Sequence, residues 1–173
     1  MKRCTLLLTC LITALSLLSG CASGPDLKGQ PFFTGPVESR PDLATVYFYR
    51  TAASVGYGVA PTITVDGKPV GSLPSGGYFK TTLAAGKYHI KSTTPPIVTN
   101  SVNKAFDLTV ANGNVYFIAD ETSSMDFKDD QTLGEINDAS FNLQRFYFHY
   151  ALVPEEQALR SMKWCQQVPA APQ

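Results

Sequence analysis

Apolar and polar residues alternate along much of the chain from Ala44 onward, and this alternation predicts β-strands. In the segment 104–110 (KAFDLTV), phenylalanine, leucine and valine occupy one face while aspartate and threonine occupy the other, which is the period of two expected of a half-buried strand. Segments comparably rich in β-branched and aromatic residues run over 45–50, 62–66, 69–73, 78–83, 87–92, 115–119 and 142–153. The pattern predicts an all-β fold: an antiparallel β-sandwich of about seven or eight short strands, with a half-open barrel as the alternative.

Turn and loop signals separate these strands. Asp66-Gly67 and Asn112-Gly113 are residue pairs favoured in two-residue hairpin turns, so each predicts a hairpin between the strands that flank it. The loops 93–103 and 121–140 are long for a compact domain. We therefore expect each loop to be functional, mobile or to contain a short element, such as an edge strand over 133–136.

The end of the domain predicts a short helix that follows the last strand. Pro154 suits the first helical turn, and Glu155 and Glu156 suit the positive end of the helix dipole. The helix is expected to end near Lys163, and residues 164–173 are expected to form a polar tail.

The N-terminus has the layout of a signal peptide. Two basic residues precede an apolar run of about 13 residues, 6–18, which is short for a permanent span of roughly 20 residues. The run ends in Leu18-Ser19-Gly20-Cys21, which resembles the lipobox of bacterial lipoprotein precursors. The resemblance implies cleavage between Gly20 and Cys21, removal of residues 1–20 and lipid attachment to Cys21. The alternatives are an ordinary secretory signal with a chance cysteine and a permanent N-terminal membrane helix.

Lipid attachment would place the protein in the cell envelope, since several fatty chains anchor a protein firmly where one chain binds only marginally. Ala22, rather than an aspartate, follows the cysteine, and the resemblance then implies the periplasmic face of the outer membrane in a Gram-negative host. Residues 21–43 are rich in proline and glycine and are expected to form a lipidated flexible tether reaching roughly 25 Å. Phe32 and Phe33 could instead pack on the domain and shorten the tether.

Composition narrows the possible partners. Removal of Lys2 and Arg3 with residues 1–20 reduces the 14 basic residues to 12, against 14 acidic residues, a net charge near −2. No basic cluster points to nucleic acid as a partner, and membrane attachment is expected to rest on the lipid alone.

The cysteines allow no internal disulfide in the processed chain. Cys4 and Cys10 leave with the signal peptide and Cys21 carries the lipid, so Cys165 is the remaining thiol. We expect a partly buried, inert thiol there, with a mixed disulfide or a crosslink to a partner as the alternatives.

Candidate catalytic and metal-binding residues are few. His89 and His149 are the two histidines, and alternation puts both on the outer side of their strands. The chain has neither a Gly-x-Ser-x-Gly elbow nor a His-Glu-x-x-His helix, so we expect no catalytic residues, no metal site and no cofactor.

An acidic loop could offer calcium ligands, but the spacing of its acids does not match an EF-hand, and a solvated loop is favoured. The acids of this loop are Asp126, Asp129, Asp130, Glu135 and Asp138.

Tyrosines supply the candidate binding surface. They lie opposite the inward-facing set of their strands, and neighbouring strands would join them into a patch suited to glycan or protein recognition; they are Tyr47, Tyr49, Tyr116 and Tyr147. The alternative is that the C-terminal helix and the tether cover this face. Arg50, at the end of the first strand, would clamp an anionic ligand or an acidic loop, or form a structural ion pair.

The domain also resembles a known family. The matching pieces are the strand 46–50 (VYFYR), the hairpin 65–71 (VDGKPVG), Gly77-Tyr78-Phe79 and the segment 83–88 (LAAGKY). Together they resemble the DUF2846 family of bacterial lipoprotein domains, which is similar in style to PEGA-type β modules, and the likeness covers roughly residues 43–160. Because the family has no assigned activity, the resemblance implies a β-sandwich over 44–163 and no reaction.

These observations favour a lipid-anchored envelope protein that binds rather than catalyses. The expected partner, besides the membrane, is another envelope protein for which the domain acts as an adaptor. A carbohydrate or peptidoglycan module that uses the tyrosine face is the alternative, and an envelope hydrolase or metal-binding protein is less favoured.

Overall fold

A computed structural model describes residues 24–94, 103–125, 131–141 and 143–169. The cleavage motif with Cys21 lies outside the described residues, as do the loop acids Asp126, Asp129 and Asp130. Predictions that rest on these residues therefore stay predictions. Within the described ranges, no helix is long and apolar enough to cross a membrane.

The described residues form two sheets and a short helix, which confirms the predicted all-β sandwich. The strands are β1 (Ala44–Tyr49), β2 (Thr62–Val65), β3 (Lys68–Ser72), β4 (Gly77–Leu83), β5 (Gly86–Thr93), β6 (Lys104–Val110), β7 (Val115–Ser123), β8 (Thr132–Phe141), β9 (Gln144–Leu152) and β10 (Gln166–Gln167), and α1 spans Glu155–Met162. One sheet has the strand order β10-β4-β1-β7-β9-β8, and the other has the order β3-β2-β5-β6. We call these the large sheet and the small sheet.

Alternation along the strands builds the core between the sheets. In β6, residues 104, 106, 108 and 110 are all buried while the residues between them are exposed. The alternate residues of β1 on the inner face, Val46 and Phe48, pack in the same cluster, and Phe48 stacks on Phe79 of β4 with ring centroids 5.3 Å apart. This shared apolar interior holds the two sheets face to face.

The two predicted hairpins have different outcomes. Asp66-Gly67 joins β2 to β3 as an antiparallel pair, and both turn residues have the positive φ angles of a type I′ turn, 48° and 79°. Asn112-Gly113, in contrast, connects β6 of the small sheet to β7 of the large sheet, so the hairpin predicted there is wrong. The Asn112 side chain accepts a hydrogen bond from the backbone N–H of Ala85, which lies in the connection from β4 to β5, where the chain also crosses between the sheets. This contact fixes the turn without strand pairing.

The large sheet is mixed rather than wholly antiparallel. β1 pairs in parallel with β7, and β10 pairs in parallel with β4. These parallel pairs arise because the chain visits the small sheet between β4 and β7 and runs along α1 before β10.

Residues 164–169, the described part of the predicted polar tail, pack on the domain. Gln166 and Gln167 pair with the start of β4, and Val168 is buried in the core. The predicted edge strand over 133–136 exists but extends much further, as β8, and forms a bulged antiparallel pair with β9. A Cβ added at Gly134 would clash with the carbonyl oxygen of Ala105, so β8 closes against β6 at one side of the sandwich.

The N-terminal segment packs on the domain from Leu27 onward, in place of the flexible tether expected over 21–43. Phe33 is 8% exposed and makes edge-on ring contacts with Tyr47 and Tyr78. Its backbone N–H donates to the carbonyl of Cys165. Of the two phenylalanines weighed as alternatives to a free tether, Phe33 packs and Phe32 stays 51% exposed.

Candidate functional site

The four tyrosines do not form a patch, so the predicted binding surface is wrong. Tyr47 and Tyr49 are 2% and 3% exposed and lie in a second apolar cluster beneath α1 and the N-terminal segment. Tyr116 belongs to the opposite, inner face of the large sheet, where it packs against the core. Tyr147 is half-buried on β9. The alternative is correct for Tyr47 and Tyr49: α1 and the N-terminal segment cover the part of the face that holds them.

Contacts at Tyr47 explain why this face is closed. Its ring stacks on Phe117 with centroids 5.4 Å apart, and its hydroxyl accepts a hydrogen bond from the backbone N–H of Glu38. Burial also raises the pKa of Tyr49 above its ordinary value, and the nearby Glu121 adds to the effect. Neither tyrosine is available to a ligand from solution.

Arg50 holds a loop rather than an anion. Its guanidinium donates to the carbonyl oxygens of Val59, at 2.9 Å, and Gly56, at 3.1 Å. These bonds fix the loop 51–60, which the Ser75 hydroxyl also holds by accepting from the Ala53 N–H. Arg50 therefore holds a loop through neutral backbone carbonyls, and among the described residues it forms neither the predicted clamp on an acidic loop nor an ion pair.

The two histidines have different environments. His89 is on the outer face as predicted, 3.0 Å from Asp107, which also pairs with Lys87. These two hydrogen bonds lower the pKa of the exposed Asp107. His149 lies on the outer side of its strand as predicted, on the same face as Ala119 and Ala151, but it is wholly buried because other residues pack on that face.

His149 links three strands through polar contacts. Its Nε2 atom lies 3.3 Å from a Glu121 carboxylate oxygen of β7, and its Nδ1 atom lies 2.8 Å from the Thr132 hydroxyl of β8. A hydroxyl, an imidazole and a carboxylate in this order can move a proton. Glu121 lines a cavity of about 160 Å³, but neither His149 nor Thr132 lines it, so the geometry favours a structural link.

A buried polar cluster lies inside the sandwich, near the end of β1, and sequence reasoning missed it. Lys104 and Asp120 form an ion pair with side chains 6% and 4% exposed. Burial lowers the pKa of Lys104, and Asp120 opposes the shift. Tyr150 lies beneath the ammonium group, and burial raises the pKa of this tyrosine well above its ordinary value. The available signal was that Lys104 falls on the apolar face of the alternation in β6.

An open groove lies where β7 begins. It holds about 520 Å³ and is lined by Val115, Tyr116, Phe117, Gln131, Leu133, Leu152, Val153, Pro154 and Glu155. We call it the β7 groove. Pairing between β7 and β9 covers only 118–123 of β7, so no β9 residue stands opposite Val115 and Tyr116. The groove is therefore an apolar cleft beside a stretch of β7 that pairs with β1 on one edge and has no β9 partner on the other. Tyr116 is the one predicted surface tyrosine that lines it.

Other candidate sites are smaller or closed. A cleft of about 160 Å³ lies between the N-terminal segment and β4, and the ion pair of Glu38 with Lys80 spans its rim. In the part of the chain that the structure describes, no group of three or more His, Cys, Asp or Glu residues is placed to hold a metal ion. Cys165 is a buried free thiol, and burial raises its pKa to about 12.

Comparison with known proteins identifies one family. The family described as "Protein of unknown function (DUF2846)" matches residues 40–134, more than half of the chain. The match runs from just before β1 into β8, so it includes the buried ion pair and one wall of the β7 groove. No curated protein and no solved structure matches the chain.

Proposed function

The chain belongs to the DUF2846 family of proteins of unknown function, and we propose that it is a lipid-anchored envelope protein that binds another envelope protein. Leu18-Ser19-Gly20-Cys21 supports the anchor, because its small residues and its cysteine follow the apolar run directly. Ala22 supports the periplasmic face of the outer membrane as the location. The role proposed is that of an adaptor without catalytic activity.

The β7 groove is the observation that carries the binding role. Apolar and aromatic side chains form most of its wall, and Leu152 is a large apolar residue left 37% exposed within it. Interface cores favour such side chains over charged ones. A segment of a protein partner would place an apolar side chain in the groove and its backbone beside Val115 and Tyr116, at the edge of β7 that faces away from β1, as in strand-addition complexes.

Glycan binding has less support than protein binding. That alternative depended on a shared tyrosine surface, and two of the four tyrosines are under α1 and the N-terminal segment. The β7 groove contributes one tyrosine, Tyr116, whose hydroxyl already accepts a hydrogen bond from the Ala111 N–H at 2.9 Å.

Crosslinking in intact cells tests the binding role. The protein is crosslinked, purified from solubilised membranes and examined by mass spectrometry for stoichiometric partners. We expect Leu152→Ser to lose the partner, while Ile136→Ser keeps it, since Ile136 is equally exposed at 36% but lies outside the groove. Recovery of the protein alone, or retention of the partner by both variants, would refute the groove as the binding site.

Labelling with a radioactive or clickable fatty acid tests the anchor. The wild-type chain should take up the label and lose residues 1–20, and Cys21→Ser should do neither. Uptake of the label by Cys21→Ser would show that the lipid is attached elsewhere.

A further inference from the structure

The packed N-terminal segment leaves little chain between the proposed lipid and the domain. Gly24 lies so close to Ala60 that a Cβ at Gly24 would clash with it. Further along, the Gln166 side-chain amide donates to the carbonyls of Leu27 and Gln30. Only two residues lie between Cys21 and Gly24, and the three Cα–Cα steps that join them span at most roughly 10 Å. The part of the domain near Ala60 must therefore stay close to any bilayer that holds Cys21.

That part of the domain is one end of the sandwich. β1 and β7 run in parallel and end there, while β4 and β9, which are antiparallel to them, begin there. The loop 51–60 follows β1 and includes Ala60. We call this the β1 end. The β7 groove, at the start of β7, lies at the opposite end.

Exposed apolar side chains concentrate at the β1 end. Tyr57 and Met125, each 76% exposed, follow β1 and β7, and Leu143, fully exposed, precedes β9. Trp164, 67% exposed, lies just before β10, which pairs with the start of β4. The tip of the β8–β9 hairpin projects about three residues past the last β7 partner, Tyr147, and it carries Leu143 outward.

The chemistry of this surface suits a lipid interface. The loop 51–60 (TAASVGYGVA) has no charged residue, although it is a surface loop. Tyrosine and tryptophan are the residues favoured at the level of lipid headgroups. Lys163 lies over the Trp164 ring, 5.2 Å from its centroid. When an aromatic ring enters the lipid, a neighbouring lysine can keep its ammonium group among the headgroups.

We propose that the β1 end is a membrane-contact surface, with Tyr57, Leu143 and Trp164 in the headgroup region of the bilayer that holds Cys21. The proposal rests on the lipid anchor proposed above. It fixes an orientation in which the opposite end, with the β7 groove, faces away from the membrane and toward a partner.

Trp164 provides a direct test because it is the single tryptophan of the chain. The lipidated protein is reconstituted into phosphatidylethanolamine and phosphatidylglycerol vesicles, with and without a lipid that carries a shallow fluorescence quencher. We expect loss of Trp164 fluorescence in the quencher vesicles. The matched control is Trp164→Phe with Ala111→Trp, which moves the tryptophan to an exposed turn at the far end of the sandwich, and its fluorescence should be unchanged.

Flotation on the same vesicles separates this proposal from the anchor. A chain that floats with the vesicles but keeps its full Trp164 fluorescence retains its anchor and overturns the contact surface; this outcome would mean that the apolar end meets a protein instead. A chain that neither floats nor carries lipid overturns both proposals. A double variant, Tyr57→Ser with Leu143→Ser, tests two of the side chains. If it folds and still floats but Trp164 is no longer quenched, the contact surface is supported. Undiminished quenching would count against the roles of these two side chains.

Discussion

The ammonium group of Lys104 is paired with the Asp120 carboxylate inside the sandwich, and it lies 4.3 Å from the centroid of the Tyr150 ring. The two residues lie in different sheets, Lys104 in β6 of the small sheet and Asp120 in β7 of the large sheet. Desolvation disfavours the charged lysine, and this is why its pKa is lowered. The pair therefore joins the two sheets, and each charge depends on the other for its stability in the interior.

Asp120→Asn should destabilise the protein by about 3–5 kcal/mol, because it leaves the Lys104 charge buried without a partner. The double variant Lys104→Met with Asp120→Leu should recover most of that loss, since it removes both charges together. Urea unfolding of the single and double variants measures both free energies. Glu156→Gln is the control, since its pair with Arg160 is exposed and is worth less than about 1 kcal/mol; equal effects of Asp120→Asn and Glu156→Gln would contradict the structural role of the buried pair.

Phe33→Ala should cost about 3–5 kcal/mol in the free energy of unfolding, as expected for a large aromatic ring removed from a packed site. Its ring contacts both Tyr47 and Tyr78. Phe32→Ala, at the neighbouring and half-exposed position, should cost much less. Equal melting temperatures for the two variants would mean that the N-terminal segment is not part of the cooperative unit.

The strands could be predicted from sequence, but their partners could not. A period of two distinguishes the faces of β6 because its apolar side chains must point one way. Asn112-Gly113 has the same local chemistry whether the chain returns beside β6 or crosses to the other sheet. In the structure the chain crosses, and there the Asn112 side chain accepts a hydrogen bond from the Ala85 N–H, a contact between residues far apart in the chain.

The candidate site was harder to predict for a related reason. Alternation shows that Tyr47 and Tyr49 share a face, but it does not show what covers that face. The covering residues come from α1 and from Phe33, at the two ends of the chain. The β7 groove also depends on distant segments, since its walls meet only after β7, β8 and β9 have paired.

Gly134→Ala should be strongly destabilising. The residue has a φ of 71°, which a side chain disfavours, and its added Cβ would clash with the Ala105 carbonyl. Gly58→Ala is the matched control, because an added Cβ there has no neighbour within 4 Å and φ is not positive. Its stability should be unchanged or slightly raised through the unfolded state. Thermal unfolding compares the two variants, and a tolerated Gly134→Ala would contradict the closure of β8 against β6.

Cys165 should not react with thiol reagents in the native protein near neutral pH. Its side chain is fully buried and its Sγ atom lies 3.6 Å from the Arg50 carbonyl oxygen. Burial holds the pKa at about 12, so the reactive thiolate is scarce as well as shielded. A chain expressed without residues 1–20 and carrying Cys21→Ser isolates this thiol, and labelling should begin only as urea unfolds the protein. Complete labelling without denaturant would show that the segment around β10 opens readily.

Stability should fall as pH rises above about 9. In the unfolded chain the Cys165 thiol ionises near its ordinary pKa of 9.0, while burial in the folded protein raises this pKa to about 12 and keeps the thiol protonated. The unfolded state then binds fewer protons than the native state, so the free energy of unfolding decreases with pH, by up to about 1.4 kcal/mol per pH unit for one group. Tyr49 and Tyr150 have pKa values raised in the same direction and add to the loss above about pH 10. Urea titrations at increasing pH measure the decline in the free energy of unfolding. Cys165→Ala should flatten this decline between about pH 9 and 10, before the tyrosines ionise. An unchanged slope in that variant would exclude the thiol as the source of the decline.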